Sequence, residues 1–316
     1  MIPYLIHITV LCSIYVILAV GCNLILGYGG MIQMGHGAFF AIGAYAAAIL
    51  STRTSIPWIP EVLISMALAL AVGLVLAWTM VPLNPDFFSL ATFGFTIVVV
   101  TVLMNWTSLT SGAAGIPGIR GIELGALHIR QGGGFLILAL ILAAASMWFV
   151  YLLVRSSFGR ALKAMRDDDV GFEATGRSAA RAKVYSYGLG AMLAGLGGNL
   201  YAHYISYIDP NSVGVDLSFL ILTMVVIGGV GTFSGPIVGT LLLVMFPETL
   251  RFVGLPASVG GLIRQALYGF LLVVILFFRP AGLMGGINWG KRPRWLRLFG
   301  SPPPDHSAGP GQEVAP

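Results

Sequence analysis

Charge is scarce in this chain, and the scarcity identifies the solvent in which it folds. Only 9% of its 316 residues are Asp, Glu, Lys or Arg, while 57% are hydrophobic and the mean hydropathy is +0.90. Soluble domains carry about 25% charged residues. A soluble fold is therefore excluded, and a polytopic membrane protein is indicated. Cysteine is rarer still: Cys12 and Cys22, both in the first apolar run, exclude a disulfide scaffold. Lysine occurs only as Lys163, Lys183 and Lys291, and none precedes Ser or Thr. A phosphate-binding P-loop needs that pair, so the chain does not hydrolyse ATP by P-loop chemistry.

Further absences narrow the field. The two cysteines and five histidines show no metal-ligand spacing. His36 and His203 near helix ends read as hydrogen-bonding groups rather than haem ligands. The nearest approach to a Gly-x-Ser-Gly nucleophile is Gly231-Thr232-Phe233-Ser234-Gly235, one residue too long, so a membrane protease has no support. Acids are missing from the middle of the long apolar runs: Glu61 and Asp86 flank spans, Asp209 and Asp216 lie in a loop, and Glu248 lies near a helix end. Ion-driven carriers keep such acids at membrane depth. The net charge of +5 follows from membrane-flanking basic residues, not from nucleic-acid binding. Met1 to Val20 contains no Lys or Arg, so the first apolar run reads as a retained helix rather than a secretory signal.

A spanning helix needs about 20 apolar residues. Nine runs qualify in whole or part: Leu5–Leu26, Met31–Ser51, Pro60–Val81, Phe87–Trp106, Phe135–Val154, Val184–Tyr204, Leu217–Val230, Gly235–Leu250 and Ile263–Phe278. Leu217–Val230, only fourteen residues long, reads as a half-helix or re-entrant piece. The expected fold is all-α, a polytopic transmembrane helical bundle of eight to ten spans with broken or short helices. It comprises a membrane domain over residues 1–290 and a basic, then disordered tail over 291–316, Pro-, Gly- and Ser-rich from Ser301.

One water-facing segment interrupts the apolar runs. Residues 155–183 hold seven of the 17 basic and four of the 12 acidic residues. Basic residues favour the cytoplasmic side. With this loop inside, alternation through nine spans places twelve basic residues inside and five outside, with the C-terminus cytoplasmic. Within the loop, Phe158, Leu162 and Met165 repeat at helical spacing beside Arg160, Lys163 and Arg166. Asp167, Asp168 and Asp169 cap or begin a second short helix through Val170, Phe172 and Glu173 to Gly176. The segment reads equally as a solvated linker or as a lever that docks into a cytoplasmic partner.

Small residues recur every fourth position, in Gly190, Ala194, Gly198 and Ala202 and again in Gly231, Gly235 and Gly239. Such rows let helix backbones approach closely in lipid, and dense packing is their plain meaning. Gly27-Tyr28-Gly29-Gly30 interrupts the first two apolar runs and reads as the start of a helix inside the membrane, whose free N–H groups attract an anionic group. Gly29, Gly30, Gln33 and His36 then become a candidate substrate path. The plainer reading is a tight turn with a polar pair packed on a neighbouring helix.

Five blocks together resemble the permease subunits of branched-chain amino acid ABC importers. They are Asn23–Leu50, Ser111–Ile119 (SGAAGIPGI), Arg155–Gly176, Met224–Leu243 and Phe278–Leu283 (FRPAGL), within a match over roughly Leu18 to Leu283. Glu173, Ala174 and Gly176 are similar to that family's Glu-Ala-x-Gly form of the importer loop signature. The broader importer pattern, with a later Gly and a downstream Leu-Pro, is absent. Asp86 and Phe87 stand where family members often carry a basic residue and Tyr-Phe.

The resemblance implies a transmembrane subunit in the cell's inner or plasma membrane, itself not an enzyme. Its implied partners are a second related permease, two cytoplasmic ATPases that use ATP and Mg, and an external substrate-binding protein. No cofactor is expected in this chain, and no nucleic acid. Arg160, Glu173, Ala174 and Gly176 would then couple to the ATPase, with Gly159, Gly171 and Gly176 permitting tight turns, and SGAAGIPGI would face the external receptor. The small polar solute would be leucine, isoleucine or valine, then urea or short amides, then aromatic acids. An ion-gradient-driven secondary carrier is the competing class.

Overall fold

The computed structural model describes residues 2–251 apart from 55, 125–126 and 130–131, together with 269–270, 273–274, 277 and 282–285. Most of the run Ile263–Phe278 and the tail expected at 291–316 lie outside the described residues. Eleven helices are described: α1 (Ile2–Asn23), α2 (His36–Arg53), α3 (Trp58–Met80), α4 (Pro85–Asn105), α5 (Thr107–Thr110), α6 (Gly133–Arg155), α7 (Ser157–Asp167), α8 (Asp169–Ala174), α9 (Ala179–Ile205), α10 (Val215–Gly228) and α11 (Gly235–Arg251). Four short strands accompany them: β1 (Ile116–Pro117), β2 (Ile122–Leu124), β3 (Leu127–Ile129) and β4 (Tyr207–Ile208). β1 pairs antiparallel with β4, and β2 with β3. The all-α bundle is therefore present, with two small ladders added at one end.

Five stretches are long and apolar enough to cross a bilayer: Pro3–Tyr28, Trp58–Met80, Pro85–Asn105, Gly133–Arg155 and Pro210–Gly228. With α2, α9 and α11 they make eight bundle helices among the described residues, the lower bound of the expected range. Local chemistry sets several helix starts. Pro85 occupies the first turn of α4, where its missing N–H costs nothing. Ser156, Asp168 and Ser178 cap α7, α8 and α9 with side-chain oxygens that accept from Gly159, Gly171 and Arg181 N–H.

α9 is the hub, packed against α1, α2 and α3. Its small-residue row explains why. A Cβ on Gly198 would strike the Phe40 carbonyl and come within 2.8 Å of the Ala44 nitrogen, and one on Gly190 would lie 2.7 Å from the Gly21 carbonyl. Gly43 of α2 meets Gly195 of α9 backbone to backbone. Van der Waals approach of this kind holds helices together in lipid, where apolar burial supplies no drive. Gly235 and Gly239 do the same between α10 and α11, abutting the Gly228–Gly229 and Met224 backbones. Gly231 leaves that row. It lies in the turn between the two helices with φ +74°, against Gly27 and Arg166.

α3, α4 and α6 present the opposite character. Leu63, Val75, Trp78, Leu90, Val98, Ile137, Ile141 and Trp148 are exposed, forming the surface that meets lipid. A groove of about 400 Å³ between α3 and α9, lined by Val75, Trp78 and Tyr185, lies on this exterior.

The bundle has two ends. At one, the turn after α1, the N-terminus of α4, the loop α7–α8 and the α10–α11 turn come together. At the other, the start of α3, the end of α9 and both strand ladders meet. We call these the loop end and the ladder end. α2 and α10 both begin between them: the Gly37 N–H at the start of α2 donates to Ser218 Oγ, one turn into α10, at 2.9 Å. α10 itself has fourteen residues, but with the short turn from Pro210 it makes a nineteen-residue stretch long and apolar enough to cross, so the half-helix expected there is not what the structure shows.

Candidate functional site

The charged loop folds as its periodicity required. In α7 and α8, Leu162, Met165 and Phe172 are buried while Arg160, Lys163, Glu173, Ala174 and Gly176 are exposed. The buried stripe packs on α6, α9 and the end of α1, so the loop is fastened to the bundle along one face and bare along the other. Arg160 Nη1 donates to the Arg155 carbonyl. Gly176 takes φ +79° with open space around it, as its turn role demands. Gly159 and Gly171 do not make turns. They lie inside α7 and α8, where Gly159 sits against the Val154 backbone and Gly171 against the Asp168 carboxylate.

Arg166 ties the loop to the membrane body. Its Nη1 donates to the Gly27 carbonyl at 2.7 Å, while Nη2 pairs with Asp167 at 3.1 Å. Gly30 is the reason that the arginine fits. It has φ +69°, and a Cβ there would lie 2.7 Å from Arg166 Cγ. Gly231 closes the other side, where a Cβ would come within 3.0 Å of Arg166 Nη1. The loop is further held by Lys183 to Asp169 at 2.5 Å and by Lys163 over the Tyr28 ring at 5.5 Å. A cleft of about 100 Å³ opens here, lined by Gly29, Gly30, Ile32, Phe88, Arg166 and Lys183 among others.

The segment Gly27–Gly30 ends a helix and does not begin one. Leu24–Tyr28 forms a π-helical turn continuing α1, capped at Gly29. An irregular stretch follows, and α2 starts only at His36. Asn23 stabilises the turn by bridging to the α10–α11 connection: its Nδ2 donates to the Thr232 carbonyl at 2.9 Å, and its Oδ1 accepts from Gly231 N–H at 2.8 Å. Irregular backbone inside a membrane protein needs such partners, because lipid offers none.

Two parts of the expected substrate path are thereby separated. Gly29 and Gly30 lie at the loop end under Arg166. Gln33 and His36 lie deeper, each 1% exposed, and bond to each other through Nε2 and Nδ1 at 2.8 Å. His36 Nε2 lies beside Gly21 of α1, so the pair has climbed back into the bundle.

At the ladder end the structure contains a cluster that the sequence did not suggest. Glu61, in the first turn of α3, is 2% exposed, and His203, near the end of α9, is 4% exposed. They meet at 2.5 Å, and His203 Nδ1 bonds the Arg120 carbonyl at 2.7 Å. A carbonyl only accepts, so Nδ1 carries a hydrogen. The remaining proton lies between Nε2 and the carboxylate, and the pair is neutral overall wherever that proton rests. Asn199 Nδ2 donates to Glu61 and Ser65, and its Oδ1 accepts from Trp58 Nε1, which can only donate. SGAAGIPGI is pinned beside this cluster: Gly118 N–H donates to the Ser206 carbonyl, and Arg120 N–H to Ser51 Oγ.

A many-helix bundle with apolar flanks, helices broken by glycine turns and a docked polar loop is a multi-pass membrane architecture. The comparisons assign the family. A model described as "Branched-chain amino acid transport system / permease component" matches residues 4–278, and the chain belongs to that family. Among its relatives is the high-affinity branched-chain amino acid transport system permease protein LivM of Escherichia coli (strain K12), 30% identical over 303 residues. That alignment covers 88% of this chain and 69% of the relative. A probable branched-chain amino acid transport permease protein LivM of Methanocaldococcus jannaschii is 26% identical over 273 residues, covering 80% and 78%. The corresponding LivH protein of Escherichia coli (strain K12) is 25% identical over 295 residues, covering 86% and 92%. No solved structure matches the chain.

Proposed function

We propose that this chain is the membrane-embedded permease subunit of an ATP-driven importer for branched-chain amino acids, coupled to its ATPase through residues 155–183. Membership of the permease family and the names of the LivM and LivH relatives support the solute and the class. The two-faced loop is the observation that carries the coupling role. One face is buried on the bundle, with Arg166 reaching Gly27. The other offers Arg160, Glu173, Ala174 and the tip residue Val170, 80% exposed, to an outside partner. An exposed apolar tip within a collar of Asp167, Asp168 and Glu173 suits a polar groove with an apolar floor, such as a cytoplasmic ATPase would offer.

The chain brings no nucleotide chemistry of its own, so ATP and Mg belong to two such ATPases, and no cofactor is assigned to this chain. A second related permease completes the membrane part, and an external binding protein delivers solute at the ladder end. The loop end is then cytoplasmic, in the inner or plasma membrane, and the C-terminus lies on the same side. Nucleotide-driven closure of the ATPases moves α7–α8, and Arg166 passes that motion to the turn after α1 and the α10–α11 connection.

Glu173→Lys tests this. Uptake of leucine by cells expressing the whole transporter falls to background while the chain is still inserted and assembled with its partner permease. Normal uptake by that variant removes the coupling assignment. The buried Glu61–His203 pair is the feature that suits a gradient-driven carrier instead, and leucine accumulation driven by a proton gradient without ATP would favour that reading.

A further inference from the structure

Three buried polar atoms near the start of α2 lack a protein partner of good geometry. They are Gln33 Oε1, His36 Nε2, which faces the Leu18 carbonyl of α1, and the Tyr187 hydroxyl; a fourth such atom among the described residues, the Tyr45 hydroxyl, lies farther along α2. Gln33 and His36 are each 1% exposed and Tyr187 is 0% exposed. Cys22 of α1 lies beside the Gln33 side chain and the Tyr187 hydroxyl.

Leaving a buried polar group unsatisfied costs about 1–3 kcal/mol, whereas apolar groups of the same shape are nearly neutral. Leu, Phe and Phe would therefore pack these positions more stably. In the Glu61 cluster, by contrast, every buried polar side chain is bonded. Unsatisfied atoms gathered in one place are groups kept for something absent from the resting fold.

Their chemistry specifies what that is. With Gln33 Nε2 donating to His36 Nδ1, the imidazole is neutral and its Nε2 carries hydrogen. The set is then one acceptor, one donor and one hydroxyl. α2 begins at His36, so the positive end of an eighteen-residue helix adds to the donor side. Phe39 and Phe88 stand edge-on to Tyr187 at 5.5 and 5.6 Å, an apolar wall beside the polar atoms. Phe88 also lines the cleft beneath Arg166, so it separates the polar atoms from the loop end.

We infer that Gln33, His36 and Tyr187 form the head-group site for a zwitterionic α-amino acid, closed in this structure. Gln33 Oε1 accepts from the ammonium, and His36 Nε2–H and the Tyr187 hydroxyl donate to the carboxylate. The aliphatic side chain lies along Phe39 and Phe88, and displacement of Phe88 opens the way to the cleft. This assignment rests on the amino-acid permease reading and adds the residues and the polarity of recognition.

Cys22 is a native reporter, because Cys12 is the only other cysteine. In a Cys12→Ser chain assembled with its partner subunits in right-side-out vesicles loaded with ATP, 2-aminoethyl methanethiosulfonate modifies Cys22 during ATP turnover. Leucine slows this about tenfold, the order expected for loss of access at a bound, hydrogen-bonded site. Leucinamide, lacking the carboxylate, and 4-methylpentanoate, lacking the ammonium, do not. Gln33→Leu and Tyr187→Phe each abolish the leucine effect in chains that still assemble. Equal protection by all three compounds, or none by leucine in vesicles that accumulate leucine, overturns the site and leaves the importer reading standing. Cys22 that stays unmodified throughout turnover also overturns it. Vesicles that accumulate no leucine overturn the importer reading, and the site falls with it.

Discussion

The two ends of the bundle are built on opposite principles. At the ladder end, Glu61, His203, Asn199, Ser65 and Trp58 are buried and bonded to one another, and the Arg120 carbonyl and the strand ladders close over them. At the loop end, the irregular chain turns on Gly30 and Gly231, both at positive φ, and one guanidinium spans the gap from loop to membrane body. A satisfied buried network is rigid and costly to disturb. A joint of glycine turns and one charge-assisted hydrogen bond permits rearrangement. Fixed geometry therefore belongs to the ladder end, and movable geometry to the loop end.

Substitutions can break this contrast, and they rank by expected size. Gly198→Leu comes first, because its side chain would enter the Phe40 and Ala44 backbones and separate α9 from α2. The loss exceeds about 4 kcal/mol, and no monodisperse protein elutes from a sizing column in detergent. Glu61→Ala is next. It strands His203 and Asn199 in the interior and costs about 3–5 kcal/mol, read as a lowered melting temperature in detergent. Glu61→Gln recovers part of that loss, since its amide can still donate to a neutral His203. Arg166→Ala is milder for stability, about 1.5–3 kcal/mol for a hydrogen bond to a charged group, yet it reduces leucine uptake far more than its melting temperature suggests. A melting shift equal to that of Glu61→Ala, with uptake intact, would erase the distinction between the ends. Lys183→Ala closes the series: its pair with the half-exposed Asp169 is worth at most about 1 kcal/mol, and uptake stays near normal.

Local signals carried the loop almost entirely. Spacing of Phe158, Leu162 and Met165 gave α7 its buried stripe, and Asp168 capped α8, because both follow from contacts within a few residues. The end of α10 at its glycines was likewise visible, whereas the turn from Pro210 that lengthens the stretch to spanning size was not. Long-range pairings were not visible. Asn23 meets Gly231 across 208 positions, Arg166 meets Gly27 across 139, and Glu61 meets His203 across 142. A flanking acid and a late-helix histidine look solvated until the fold brings α3 and α9 together. The expected helix start at Gly27–Gly30 failed for a related reason: glycines interrupt a hydrophobic run identically whether they close one helix or open the next. Asn23 and Asn199, lone amides within apolar stretches, were the overlooked signals.

Asn23 also bears on biosynthesis. It lies in α1, yet both its hydrogen-bond partners belong to the connection before α11, made some two hundred residues later. Until then α1 waits in the bilayer with an unpaired amide, tolerable because the rest of the segment, Pro3–Tyr28, has a mean hydropathy of 2.4. The α1 amide is therefore satisfied only once the α10–α11 hairpin is made, and a nascent chain truncated before Gly231 should remain a target for membrane quality control however well its earlier helices have inserted.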